Sequence, residues 1–154
     1  METMVDLAVR RSVTVRASVE RAFDVFTRGV ASWWPLDTHS IRAARGGGRP
    51  EELHLEPRAG GRFYEKTGDE ELRWGTVLEC DPPTRIVIEW QVNPDRPATQ
   101  IVVTFAAEDG GTRIELVHTG WERLGEVAHE ARAGYGSDGG WAAVLRRFAD
   151  AADA

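Results

Sequence analysis

Residues 137–154, SDGGWAAVLRRFADAADA, set apolar Trp141, Val144, Leu145, Phe148, Ala149 and Ala152 at three- and four-residue steps, with Arg146, Arg147, Asp150 and Asp153 on the other side. That spacing predicts an amphipathic helix in which Ser137 or Asp138 supplies the N-cap and no proline intervenes before Ala154. A helix of about 15 residues spans roughly 22 Å, enough to cross most of one face of a sheet. Its apolar stripe must be covered, so the rest of the chain has to supply an apolar surface of matching length.

Strand-like runs supply it. Residues 7–16 put Leu7, Val9, Val13 and Val15 on one parity, with Arg11 the exception, which predicts a strand with one buried face. Ser18 then caps a short helix whose Val19, Ala22, Phe23, Phe26 and Val30 form an apolar stripe. Trp33, Trp34 and Pro35 close that region, and residues 36–50, with three consecutive glycines at 46–48, read as a long mobile loop of the kind that forms lids. From Glu51 on, short alternating segments follow one another. Residues 51–56 and 62–67 form a hairpin about the 57–61 turn, and residues 72–80 place Leu72, Trp74, Thr76, Leu78 and Cys80 on one face. After the Asp81-Pro82-Pro83 turn, Ile86, Ile88 and Trp90 share a face, as do Ile101, Val103 and Phe105, then Ile114, Leu116 and His118. Residues 121–133 return to helical spacing, and Gly134–Gly136 should break that helix ahead of the last one. The short turns between strands predict antiparallel pairing. An α+β chain results, with seven strands in one curved antiparallel sheet, short helices after the first strand and a long C-terminal helix.

The 154 residues suit one domain, spanning 1–154. A net charge of −6 gives no electrostatic attraction to nucleic acid or an anionic membrane, and no apolar run approaches signal-peptide or membrane-span length, so a cytoplasmic protein is expected. The single cysteine, Cys80, excludes an intrachain disulfide and a thiolate zinc site, and reads as a small core residue. The four histidines show no metal-ligand spacing, the glycine runs lack the setting of phosphate loops, and no serine sits in a nucleophile elbow; no metal or cofactor is predicted.

The segments VTVRASVERAFDVFT with the following WW, AGGRFYE, WGTVLECDPPTRIVIEW, GTRIELVHTGW and GGWAAVLRRFA together resemble the family named for the activator of the 90-kDa heat-shock-protein ATPase. That family belongs to the superfamily of START lipid-transfer, birch-pollen-allergen and polyketide-cyclase proteins. The resemblance implies the helix-grip fold, in which a seven-stranded antiparallel sheet wraps the C-terminal helix and leaves a deep hydrophobic cavity.

Strand parity then selects cavity residues. Phe63 and Glu65 share a parity, and Trp74, Trp90 and His118 fall in the inward sets of their strands. Glu65 and His118 are the polar candidates in an apolar hollow. They can orient a ligand or exchange a proton with it; alternatively Glu65 pairs with an inward arginine such as Arg11, and His118 is a hydrogen-bonded structural residue. Six tryptophans offer rigid apolar faces, each with one N–H to orient a polar group. Trp74 and Trp90 are cavity candidates, Tyr135 stands at the mouth, and Trp141 anchors the terminal helix within the same ligand-contact set. The leading expectation is a non-enzymatic protein that binds a hydrophobic small molecule, aromatic, polyketide-like or lipid-like. Two alternatives remain open: a cyclase, aromatase or dehydratase using Glu65 and His118, and a chaperone ATPase-activating module. The additional N-terminal domain of the named activator is not evident in the sequence, which weighs against a chaperone partner.

Overall fold

A computed structural model describes residues 8–154. Leu7, expected in the first strand, lies outside the described residues. Seven strands form one antiparallel sheet: β1 (Val9–Val15), β2 (Glu52–Leu55), β3 (Arg62–Thr67), β4 (Glu70–Asp81), β5 (Arg85–Trp90), β6 (Thr99–Glu108) and β7 (Gly111–Thr119). Their spatial order is β1-β7-β6-β5-β4-β3-β2, so the first strand closes onto the last and the others follow as consecutive hairpins. Among the described residues, four α-helices accompany the sheet: α1 (Val19–Phe26), α2 (Ile41–Ala44), α3 (Ala128–Gly136) and α4 (Trp141–Ala152). This is the helix-grip arrangement, with the buried face of the sheet curled around α4.

Helix α4 buries Trp141, Val144, Leu145, Phe148 and Ala152, the stripe read from the sequence. Its far end is clamped by the start of the chain. Asp153 Oδ1 accepts the backbone N–H groups of Arg16 (2.8 Å) and Ala17 (3.3 Å), and the Arg21 guanidinium donates to the carbonyls of Ala152 and Ala154, where a cation also complements the helix dipole. Phe148 packs edge-on against Phe26, with ring centroids 5.3 Å apart, and Phe26 packs in the same way on Phe105 at 5.6 Å, joining α4, α1 and β6 in one core.

The near end of α4 departs from expectation. The helix begins at Trp141, with Gly140 at its N-cap and no side-chain cap, so it has 12 residues and spans about 18 Å. Ser137 serves the preceding helix instead, its hydroxyl donating to the Gly134 carbonyl at 2.7 Å. Helix α3 runs through Gly134 to Gly136 without breaking there, because Arg11 donates to the Gly136 carbonyl and holds its last turn against β1. The tight turn between the two helices requires glycine at 140, where a Cβ would stand 2.2 Å from the Tyr135 carbonyl oxygen.

Strand β4 also differs from simple alternation. Trp74 is an extra residue against β3 and Leu78 is an extra residue against β5, so the strand carries two bulges. The first moves the inward set from the even positions Leu72 and Trp74 to Gly75 and Val77; the second moves it back to Cys80. Val77 is therefore 1 % exposed and Leu78 43 %, contrary to the parity that put Leu78 and Thr76 inward. Gly75 is required where the bulged strand meets β5: a Cβ there would lie 2.1 Å from the Glu89 carbonyl oxygen.

Candidate functional site

The aromatic residues collect between α4 and the open end of the sheet. Trp34, from the turn after α1, is the hub: its ring centroid lies 5.2 Å from Trp74, 5.8 Å from Phe63, 5.9 Å from Trp141 and 6.5 Å from Trp90. Trp90 in turn touches Trp141 at 5.5 Å and Tyr135 at 6.2 Å. Each indole N–H already has an acceptor. Trp33 donates to Val25 O, Trp34 to His39 O, Trp74 to Glu65 Oε1, Trp90 to Tyr135 Oη, Trp121 to His118 O and Trp141 to His118 Nδ1, all at 2.7–3.0 Å. The indoles therefore present flat apolar faces and no free donor, which removes the orienting N–H expected from the sequence.

Glu65 is 1 % exposed and faces inward, as its parity implied. Its partner is not Arg11, whose guanidinium is held by the carbonyls of Arg10 and Gly136. The carboxylate accepts three N–H groups instead: Ile41 N at 2.6 Å, Arg42 N at 3.1 Å and Trp74 Nε1 at 2.7 Å. Ile41 and Arg42 are the first two residues of α2, and the next N–H, that of Ala43, goes to the N-cap hydroxyl of Ser40. The orphan donors that open a helix are thus matched by one buried carboxylate and one cap. The 36–50 segment is consequently strapped down and partly helical, where a mobile loop was expected. His39 adds a second tie, bonding Gly139 O through Nε2 at 2.6 Å immediately before α4.

His118 is fully buried behind Trp141. An indole can only donate, so Nδ1 is the acceptor of the Trp141 N–H; Nε2 then carries the proton and donates to Thr99 Oγ1 at 2.6 Å. Burial lowers its pKa from the ordinary 6.5 to about 3. The imidazole is neutral at physiological pH, with both nitrogens engaged.

These packed residues form the inner wall of a cavity of about 460 Å³, which lies within the range of about 300–1,000 Å³ typical of small-molecule sites. Of the residues singled out in the sequence, Trp74, Trp90, Tyr135 and Trp141 line it. Phe63, Glu65 and His118 stand one layer behind, supporting Trp74 and Trp141. The other lining residues are Trp34, residues 38–41, 44 and 45 of the strapped segment, the 92–94 turn, Gly140 and Val144. The length of the 36–50 segment was the one signal for that roof. A smaller hollow of about 90 Å³ adjoins on the far side of Trp90 and Tyr135. The Tyr135 hydroxyl accepts from Trp90 at 2.9 Å, and burial pushes its pKa up, so it keeps its proton. Among the described residues no cluster of His, Cys, Asp or Glu could hold a metal ion, and no helix is long and apolar enough to cross a membrane.

A family model described as Activator of Hsp90 ATPase homolog 1-like protein matches residues 16–153. The chain belongs to this family. Among solved structures it is similar to an anthrahydroquino-gamma-pyrone synthase, Txn09, with 38% identity, coverage of 93% of this chain and 95% of that one, and a TM-score of 0.61. It is also similar to CalC, a self-sacrificing resistance protein from Micromonospora echinospora, with 30% identity, coverage of 94% and 93%, and a TM-score of 0.69. The Aha1 dimer from Colwellia psychrerythraea shares the fold at 16% identity, coverage of 97% of both chains and a TM-score of 0.66. Among curated proteins, none matches the sequence.

Within this member of the Activator of Hsp90 ATPase homolog 1-like family, Glu65 and His118, the acid–base pair suggested by parity, are not among the residues that line the cavity. Glu65 and His118 are separated from the cavity by the tryptophans they hold, and their polar atoms are already hydrogen-bonded. They fix the position of the walls. The polar atoms that do face the cavity come from Tyr135, Asn93 and the segment over its mouth.

Proposed function

We propose that this protein is a cytosolic binder of a flat hydrophobic small molecule, aromatic or polyketide-like, held between the roof segment 38–45 and the face of α4. One observation carries the reading: a cavity of about 460 Å³ whose walls are the faces of Trp34, Trp74, Trp90 and Trp141. Indole faces at fixed angles suit a rigid planar molecule better than a flexible chain. The likeness to a pyrone synthase and to a resistance protein at 38% and 30% identity supports a small molecule over a protein partner. So does the surface, where Leu78 is the one large hydrophobic side chain left exposed among the described residues.

The likeness to the synthase favours a second reading, in which the bound molecule also undergoes ring closure with loss of one water. Tyr135, whose hydroxyl keeps its proton in the cavity wall, is then the acid within reach of the ligand, in place of Glu65 and His118. Native mass spectrometry of freshly purified protein, followed by denaturing extraction, tests both. One small molecule per chain is the expected result, and a second extracted species lighter by one water would support turnover. A bare chain that also fails to retain added planar aromatics would overturn the binding reading.

A further inference from the structure

The chemistry of the ligand follows from which polar groups around the cavity are still unengaged. Every indole N–H is committed inside the protein. Ser40 Oγ donates to Leu36 O and accepts from Ala43 N, and His39 is held by Thr38 at one nitrogen and Gly139 at the other. Three groups on the lining remain. The Tyr135 oxygen accepts from Trp90, leaving its own O–H without an acceptor among the described residues. Asn93 engages its amide oxygen with Asp95 N, leaving its NH₂. Arg45 is the third. The 36–50 segment, which includes the roof, carries three arginines and one aspartate in a chain of net charge −6. Arg49 pairs with that aspartate, Asp37, and Arg42 bonds Gly47 O, but the Arg45 guanidinium has no acceptor among the described residues. All three open groups are donors. A ligand that satisfies them presents acceptors, and one of those acceptors meets a full positive charge.

We infer that the cavity selects aromatic carbonyl compounds bearing an ionised acidic group, with the Tyr135 hydroxyl donating to a ring carbonyl inside and the Arg45 guanidinium meeting the acid at the mouth. The inference rests on the reading of this cavity as the binding site and names its ligand class. Tyr135 suits the inner role because it sits among aromatic faces, where a hydrogen bond to a carbonyl is not diluted by water. Accepting the Trp90 N–H also polarises its O–H toward the ligand. Arg45 suits the outer role because it is exposed, so the ligand's charge stays hydrated at the rim while its rings are buried.

Tryptophan-fluorescence titrations with three tricyclic probes test this in the wild type, Arg45→Gln and Tyr135→Phe. The probes are anthraquinone carboxylate, its neutral carboxamide, and anthracene carboxylate, which lacks the ring carbonyls. The wild type is expected to bind the anthraquinone carboxylate most tightly. Arg45→Gln should weaken that binding about fivefold, to the level of the carboxamide, and added salt should narrow the wild-type difference. Tyr135→Phe should weaken both anthraquinones about fivefold and leave anthracene carboxylate unchanged, which also controls for any loosening of Trp90 when its acceptor is removed. Equal affinity for the three probes, or variants that do not discriminate among them, overturns the ligand class and leaves cavity binding standing. Quenching by none of the probes overturns cavity binding itself.

Discussion

Removing the Glu65 carboxylate should release the roof of the cavity while leaving the sheet in place. In Glu65→Ala the N–H groups of Ile41 and Arg42 and the indole N–H of Trp74 lose their acceptor together. The first two can find water if the 36–50 segment lifts. The third cannot, since Trp74 is 1 % exposed. An unsatisfied buried donor costs about 1–3 kcal/mol, and bonds to a charged acceptor contribute about 1.5–3 kcal/mol each, without simple additivity. We expect a loss of about 3 kcal/mol for Glu65→Ala. Glu65→Gln should cost about 2 kcal/mol, because one oxygen survives while the new NH₂ confronts an N–H. Urea unfolding measures the total, and amide hydrogen exchange localises it. Protection at Ile41 and Arg42 should fall by about thirtyfold in Glu65→Gln, the equivalent of about 2 kcal/mol, while central amides of β6 and β7 change only as far as global stability does. A stability change under about 0.5 kcal/mol, with unaltered exchange at Ile41 and Arg42, would refute the strap.

Three further outcomes follow from the packing. His118 has a folded pKa of about 3 against an ordinary 6.5, so the unfolded chain takes up a proton first. Its contribution to stability is complete above about pH 6.5 and is lost as pH falls toward about 3, amounting to about 2 kcal/mol between about pH 7 and 5. Urea titrations at those two pH values should show this loss in the wild type and not in His118→Asn; equal losses would contradict it. Val77→Ala should cost about 2 kcal/mol and Leu78→Ser under about 0.5 kcal/mol, and the reverse order would contradict the second bulge of β4. Gly75→Ala places a methyl group against the Glu89 carbonyl and should lower the urea midpoint by more than Val77→Ala does, with a smaller loss showing that β5 can yield there.

The sequence made the fold legible wherever pairing is unbroken. Strands β6 and β7 pair without a slip over residues 100–108 and 111–119, so the inward sets Ile101, Val103, Phe105 and Ile114, Leu116, His118 read directly from alternation. Strand β4 defeats that reading between its two bulges and agrees with it again at Cys80, since two one-residue slips cancel. The start of α4 was misplaced because Ser137, a favoured N-cap type, closes the preceding helix instead. Within the site, parity put Glu65 and His118 in the interior. It could not identify their partners, because Glu65 is satisfied largely by backbone N–H groups, which carry no sequence signature. Arg45 escaped, and Trp34 was not distinguished from the other tryptophans, for a related reason: their segment has no periodicity, and its place over the cavity depends on contacts with residues distant in the chain.

A planar ligand bound in the cavity would sit against its four tryptophans. The most direct test is to record the six indole N–H resonances by two-dimensional NMR while titrating anthraquinone carboxylate. Large ring-current shifts are expected at Trp34, Trp74, Trp90 and Trp141, with Trp33 and Trp121 nearly unmoved, because of the six only the first four line the cavity. Saturable shifts confined to Trp33 or Trp121, or uniform small shifts at all six, would place binding elsewhere and contradict cavity binding.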